Sequence, residues 1–83
     1  MDALHIDGNG VAGLLAEIGG AEMTEVLRAC PACADCRPVG EHLAFRSAGV
    51  VLRCAKCADV AVVVGVLETR LVVEWRGIFE VAR

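Results

Sequence analysis

Between Val11 and Ile18 the chain reads VAGLLAEI, and its apolar residues Val11, Leu14, Leu15 and Ile18 fall at i, i+3, i+4 and i+7, one stripe of an α-helix. Asp7 or Asn9 is placed to cap that helix and Gly19-Gly20 to stop it. With Gly10 and Gly13 near its start and only about three turns, it cannot persist alone and has to dock, on its own sheet or on a partner or second copy. Beyond the glycines the texture changes to short β-like runs: MTEVLRA (23–29), EHLAFR (41–46), VVLRC (50–54), VAVVVGVL (60–67) and RLVVEWR (70–76). In the second, Leu43 and Phe45 share a face opposite His42, Ala44 and Arg46; in the last, Leu71, Val73 and Trp75 oppose Val72, Glu74 and Arg76. SAG (47–49) is short enough to close a hairpin, as is ETR (68–70), while the tail GIFEVAR is apolar enough to dock without declaring its type.

The pattern divides the chain into an N-terminal helical segment, 1–22, and a β domain, 23–83, within one compact unit. A chain of 83 residues buries only about 60% of its unfolded surface, so a staple is expected. The hydrophobic fraction of 57% is high, yet aromatics are limited to Phe45, Trp75 and Phe79, which suits aliphatic strands. The longest apolar run, Val60 to Leu67, is far shorter than the roughly 20 residues that span a bilayer and reads as a buried strand. MDALHIDGNG holds no lysine or arginine, hence no basic region of a secretory signal, and a cytoplasmic, reducing location is expected. There, paired cysteines hold metal more often than they form disulfides.

Cys30 and Cys33 form CPAC, Cys54 and Cys57 form CAKC, and twenty residues separate the pairs. This is the spacing of a structural zinc site: two residues between cysteines let a tight turn aim both sulfurs one way, and two such turns close a tetrahedron with Zn–S near 2.3 Å. The twenty-residue spacer is one hairpin out and back. Residues 26–76 thus look like a zinc ribbon with rubredoxin-like knuckles on antiparallel β-hairpins. The wider pattern, HIDGNGVAGLLAEI followed by EMTEVLRACPAC and GVVLRCAKC, resembles a family of short, uncharacterised zinc-ribbon proteins of actinobacteria, up to about Arg76. That resemblance implies a small metal-stabilised, mainly β fold with a short N-terminal α-helix and one structural Zn²⁺ per chain, iron being able to replace it on expression; it implies no activity. One departure stands out. Glycine usually follows the second cysteine of a knuckle, where the backbone turns left-handed, and here the residues are Ala34 and Ala58.

Cys36 is left over. It is a spare thiol, a redox-sensing thiol or alternate ligand, or the third cysteine of an iron–sulfur run whose fourth position, however, is Gly40. Arg28, Arg53 and Lys56 flank the knuckles and are expected to offset the charge of the thiolates, with a phosphate-binding patch as the alternative. His5 and His42 have no place in a site that four thiolates complete, and Trp75 reads as core. No nucleophile–base set, phosphate loop or spaced carboxylate pair is visible, so no enzyme and no small-molecule substrate is expected. The net charge of −3, with no basic stripe, argues against nucleic acid. The expected function is a non-enzymatic zinc-binding interaction module with a protein partner or a second copy of itself. Its alternatives are a thiol redox or zinc-releasing sensor using Cys36 and a nucleic-acid-binding ribbon.

Overall fold

In a computed structural model of the chain the described residues are 5–7, 10, 12–19, 23–46 and 48–81. Two antiparallel sheets enclose the core. The larger is built from β1 (His5–Asp7), β4 (Leu43–Arg46), β5 (Val50–Arg53), β6 (Val60–Val66) and β7 (Leu71–Trp75), in the order β1-β4-β5-β6-β7. The smaller has the order β3-β2-β8, from β2 (Leu27–Ala29), β3 (Cys36–Pro38) and β8 (Ile78–Glu80). The one helix, α1, spans Ala12–Gly19. Its Leu15 is buried, with Leu14 and Ile18 packed on the same core, so the helix docks within its own chain. Val11, Asn9 and Gly20, read from sequence as part of its stripe, a cap and its stop, lie outside the described residues. Asp7 falls on a strand, so the 1–22 segment also contributes the edge strand β1 to the larger sheet, paired with β4.

Register explains the core. Ala44, Leu52, Val62 and Trp75 lie in one row across β4–β7, and Arg46, Val50, Val64 and Val73 in the next. From these rows Ala44, Val50, Leu52, Val62 and Val64 are buried and meet Leu15, Met23, Val26, Val39 and Ala61. In β4 the alternation is as expected, and the face carrying His42 and Ala44 is the one that turns inward: Ala44 is buried, whereas Leu43 and Phe45 are only partly so. Pairing with β5 decides this, because Leu52 opposite Ala44 is buried and a strand's inward set must match its neighbour's. The run 23–29, expected as a strand, starts as a 3₁₀ turn, Met23–Glu25; the Val26 N–H donates to Met23 O at 3.1 Å, which turns both Met23 and Val26 inward. The tail becomes β8. Gly77, at φ 105°, swings the chain from the larger sheet into the smaller, and a Cβ there would lie 2.7 Å from Ala29 O.

His42 is the largest correction. Placed by the sequence on the more polar face of its run, opposite Leu43 and Phe45, it is buried at 1% exposure, beside the equally buried Arg28. Arg28 donates from Nε to Arg76 O at 2.7 Å and from its NH2 group to Val60 O at 3.5 Å, and its NH1 group lies 3.3 Å from His42 Nε2. His42 Nδ1 is 3.1 Å from Pro38 O. A carbonyl can only accept and a guanidinium can only donate, so the proton sits on Nδ1, Nε2 offers its lone pair, and the imidazole is neutral. One arginine thereby ties β2 to the start of β6, the end of β7 and the segment before β4.

Burial, with Arg28 and Arg37 beside it, holds the His42 imidazole below its ordinary range against a raising contribution from Pro38 O and Asp35. The folded state thus binds this proton less readily than the unfolded chain. The stability involved is present above the unfolded pKa of about 6.5 and is lost as pH falls below it, at up to about 1.4 kcal/mol per pH unit. In denaturant titrations of the metal-loaded protein between about pH 7 and pH 5, His42→Gln should lose less stability than the wild type. Parallel losses would show that His42 does not govern the acid limb.

A candidate metal centre between the two sheets

Two six-residue loops carry the paired cysteines: CPACAD (30–35) joins β2 to β3, and CAKCAD (54–59) joins β5 to β6. They are closed alike. In the first, the Cys30 N–H donates to Asp35 O at 2.8 Å and the Ala34 N–H to Cys30 O at 2.9 Å. In the second, the Cys54 N–H donates to Asp59 O at 2.8 Å and the Ala58 N–H to Cys54 O at 2.9 Å. Both loops force the residue after the second cysteine into left-handed backbone, Ala34 at φ 67° and Ala58 at φ 66°, the position where glycine was missed in the sequence.

The loops bring Cys30, Cys33, Cys54 and Cys57 into one group, their sulfurs all within 4.8 Å of one another. Cys30 Sγ lies 3.7 Å from Cys57 Sγ, and Cys33 Sγ 3.7 Å from Cys54 Sγ. Disulfides would need about 2.05 Å. A tetrahedron of sulfurs each about 2.3 Å from a central ion has edges of about 3.8 Å. The group therefore has the dimensions of a four-thiolate metal site, with each hairpin contributing one pair. Since one hairpin belongs to the smaller sheet and the other to the larger, the site spans the two layers.

Backbone N–H groups supply the polar surroundings. Those of Ala32 and Cys33 face Cys30, those of Lys56 and Cys57 face Cys54, and the second cysteine of each pair receives the N–H two residues on, from Asp35 and Asp59. The contact from the Lys56 N–H to Cys54 Sγ measures 3.4 Å. Burial pushes the Cys30 thiol up, but its N–H donors and the neighbouring thiols more than offset this and bring it down to about 6. At Cys57 the Asp59 N–H lowers the pKa, while burial and three neighbouring thiols push it up to about 12. Cys54 moves down and Cys33 up. Four thiolates at this separation cannot coexist without a cation among them, so ion binding and proton release are coupled.

The cationic residues expected around the sulfurs are placed otherwise. Arg28 uses its guanidinium within the core, as described, and Arg53 donates to Ala58 O at 2.9 Å, bracing its own loop. Lys56 is exposed and acts on the Asp35 carboxyl from a distance. Arg37, which the sequence did not single out, pairs with Asp35 and feels the charge of Cys54. Cys36 stands outside the group. It is exposed on β3, opposite Ala29, so no third thiol of a C-x₂-C-x₂-C run joins the four. A signal that could have found the symmetry was present: VLRACPACAD (26–35) and VLRCAKCAD (51–59) are near-repeats that differ by one inserted residue, Ala29, and at the two positions between the cysteines. That residue shifts the arginine by one position, from next to the cysteine to two before it. On a strand this turns it to the other face, inward for Arg28.

Because Ala34 and Ala58 are exposed, glycine at either position would lose no packing while relieving the left-handed strain. Ala34→Gly and Ala58→Gly should each raise stability by about 0.5–1 kcal/mol, the relief exceeding the entropy added to the unfolded chain. Chemical denaturation measures this, and a loss at both positions would refute it.

Searches of curated proteins and of solved structures find no match to this chain. A family model described as a family of unknown function, DUF6510, matches residues 2–83, and the chain belongs to that family.

Proposed function

We propose that the protein is a non-enzymatic zinc ribbon, a module whose structural Zn²⁺ joins its two sheets so that its surfaces can bind another protein or a second copy. The observation that carries this reading is the closed donor set. Four thiol sulfurs with edges near 3.7 Å fill a tetrahedron, leaving no coordination position for a substrate. Iron fits the same thiolates; sulfurs 3.7 Å apart enclose a single ion rather than an iron–sulfur cluster, and elemental analysis distinguishes zinc from iron. The association half of the reading is supported by apolar side chains left on the surface: Leu27, Val66, Leu67, Val72, Trp75, Ile78 and Val81 are all exposed.

The core is too small to fold the chain without help, and structural zinc supplies roughly 10–16 kcal/mol in small domains. Elemental analysis should find one zinc per chain, and a strong chelator should abolish the thermal transition and the β-type circular dichroism. Cys33→Ser and Cys54→Ser should reproduce that loss, while Cys36→Ser keeps both metal and melting point. A chelated protein that melts as before would end this reading.

A further inference from the structure

From the free edge of the larger sheet we infer that the protein pairs with a second copy of itself through β7, antiparallel and centred on Val72; this deepens the association reading above and rests on it. Among the described residues no strand pairs with the outer side of β7. The other three edge strands, β1, β3 and β8, have three residues each, and β3 carries Pro38. β7 has five, with no proline, no lysine and no break in its register with β6. It lacks the devices that keep an exposed edge from pairing.

The hydrogen-bonding direction is fixed by its ends. The Leu67 N–H donates to Arg70 O and the Arg76 N–H to Ala61 O, both at 2.9 Å, so even-numbered residues turn their backbone groups toward β6. Leu71, Val73 and Trp75 therefore present N–H and C=O to the open edge. Their side chains lie on the core-facing side of the sheet, opposite Val66, Val64 and Val62, with Trp75 at its rim and exposed, while Val72 and Glu74 lie on the outer face with Gly65 and Val63. Arg70 follows the same alternation onto the outer face.

Charge and the length of the free edge select the register. A two-fold axis perpendicular to the sheet keeps like faces together, so the pairing centres on a residue of the strand. Centred on Glu74, it sets that carboxylate against its own copy. Centred on Val73, it sets Arg70 against Arg76 of the second copy. Centred on Trp75, it also opposes Glu74 and Arg76, but it requires Val73 to pair with Gly77, where the chain has already turned into the smaller sheet. Centred on Val72, it places Arg70 opposite Glu74 of the second copy and Glu74 opposite Arg70, two attractive cross-strand pairs. In that register Leu71 and Val73 of the second copy exchange backbone hydrogen bonds, as do Val73 and Leu71. Val72, 47% exposed, meets itself on the axis. The shallow cavity of about 270 Å³ lined by Val63, Gly65, Val72, Val73 and Glu74 then continues across the axis into its counterpart.

A five-residue edge buries less than the roughly 1,200 Å² of a standard interface, so the dimer forms in a concentration-dependent way. Sedimentation of the zinc-loaded protein from about 10 μM to about 1 mM should follow a monomer–dimer equilibrium. Arg70→Glu and Glu74→Arg each place like charges opposite one another and should weaken self-association by about tenfold or more. Mixed one to one, the two variants regain complementary charges and should associate with each other as the wild type does with itself. Val73→Pro removes an outward N–H without touching the β6 ladder and should abolish the dimer while zinc content and circular dichroism persist. A wild type that stays monomeric overturns the proposal. So does self-association indifferent to these substitutions, or a mixture no better than its components. Any of these leaves the zinc-dependent fold, tested separately by chelation, untouched.

Discussion

The structure depends on four sulfurs meeting where two hairpins from different sheets converge. Neither sheet is self-sufficient: the smaller has three strands of three residues, and the buried face of the larger depends on Leu15 of an eight-residue helix and on Met23, Val26 and Val39 for its cover. Isolated hairpins of that size are marginal in water. Holding Cys30 and Cys33 against Cys54 and Cys57 fixes the relative position of both hairpins. The loops achieve this with backbone alone, at the expense of two alanines in left-handed conformation. That strain is small beside the energy a structural metal supplies.

A second tie between the layers runs through Arg28. The two knuckles descend from near-identical sequence, VLR-A-CPACAD and VLR-CAKCAD, yet their arginines do different work. Arg53 remains at the surface and braces its own loop. Arg28, displaced by Ala29, points into the protein, where three segments supply acceptors: Arg76 O, Val60 O and the lone pair of His42. A buried guanidinium is tolerated only when its donors are met, and among the described residues no buried side-chain nitrogen or oxygen lacks a partner. The arrangement couples β2 and the first knuckle to the start of β6 and the end of β7, next to where the second knuckle ends.

Much of this was legible in the sequence because it rests on local rules. The C-x₂-C pairs, the turn 68–70 between β6 and β7, the strand over 60–66 and the apolar positions Leu14, Leu15 and Ile18 of α1 all follow from spacing of neighbours along the chain. What escaped was non-local. His5–Asp7 is too short to announce a strand and exists as one only through pairing with β4. The tail becomes β8 because Gly77 redirects it onto β2. Which face of β4 turns inward depends on the register with β5, and His42, polar on paper, is buried because Arg28 and Pro38 O satisfy both its nitrogens. Partners of this kind carry no signal in a single sequence.

The high hydrophobic content has a physical place in this arrangement. With the structural metal proposed above and a buried arginine tying its layers, the chain would need less apolar surface in its core than one folded by burial alone. The described core is ten residues, with Leu14, Ile18, Val73 and Phe79 packed against it. Apolar side chains in excess of that core appear on β7 and β8, where Val72, Trp75 and Ile78 are exposed. Trp75 is only partly sheltered, edge-on to Phe79 at 5.3 Å between ring centres. Both strands lie after the second knuckle, on the side of each sheet away from β1 and β3 respectively. Under the proposed function, two tasks that burial would otherwise merge are separated: metal-loaded cysteine loops would keep the fold together, leaving the last two strands to offer backbone and apolar side chains outward.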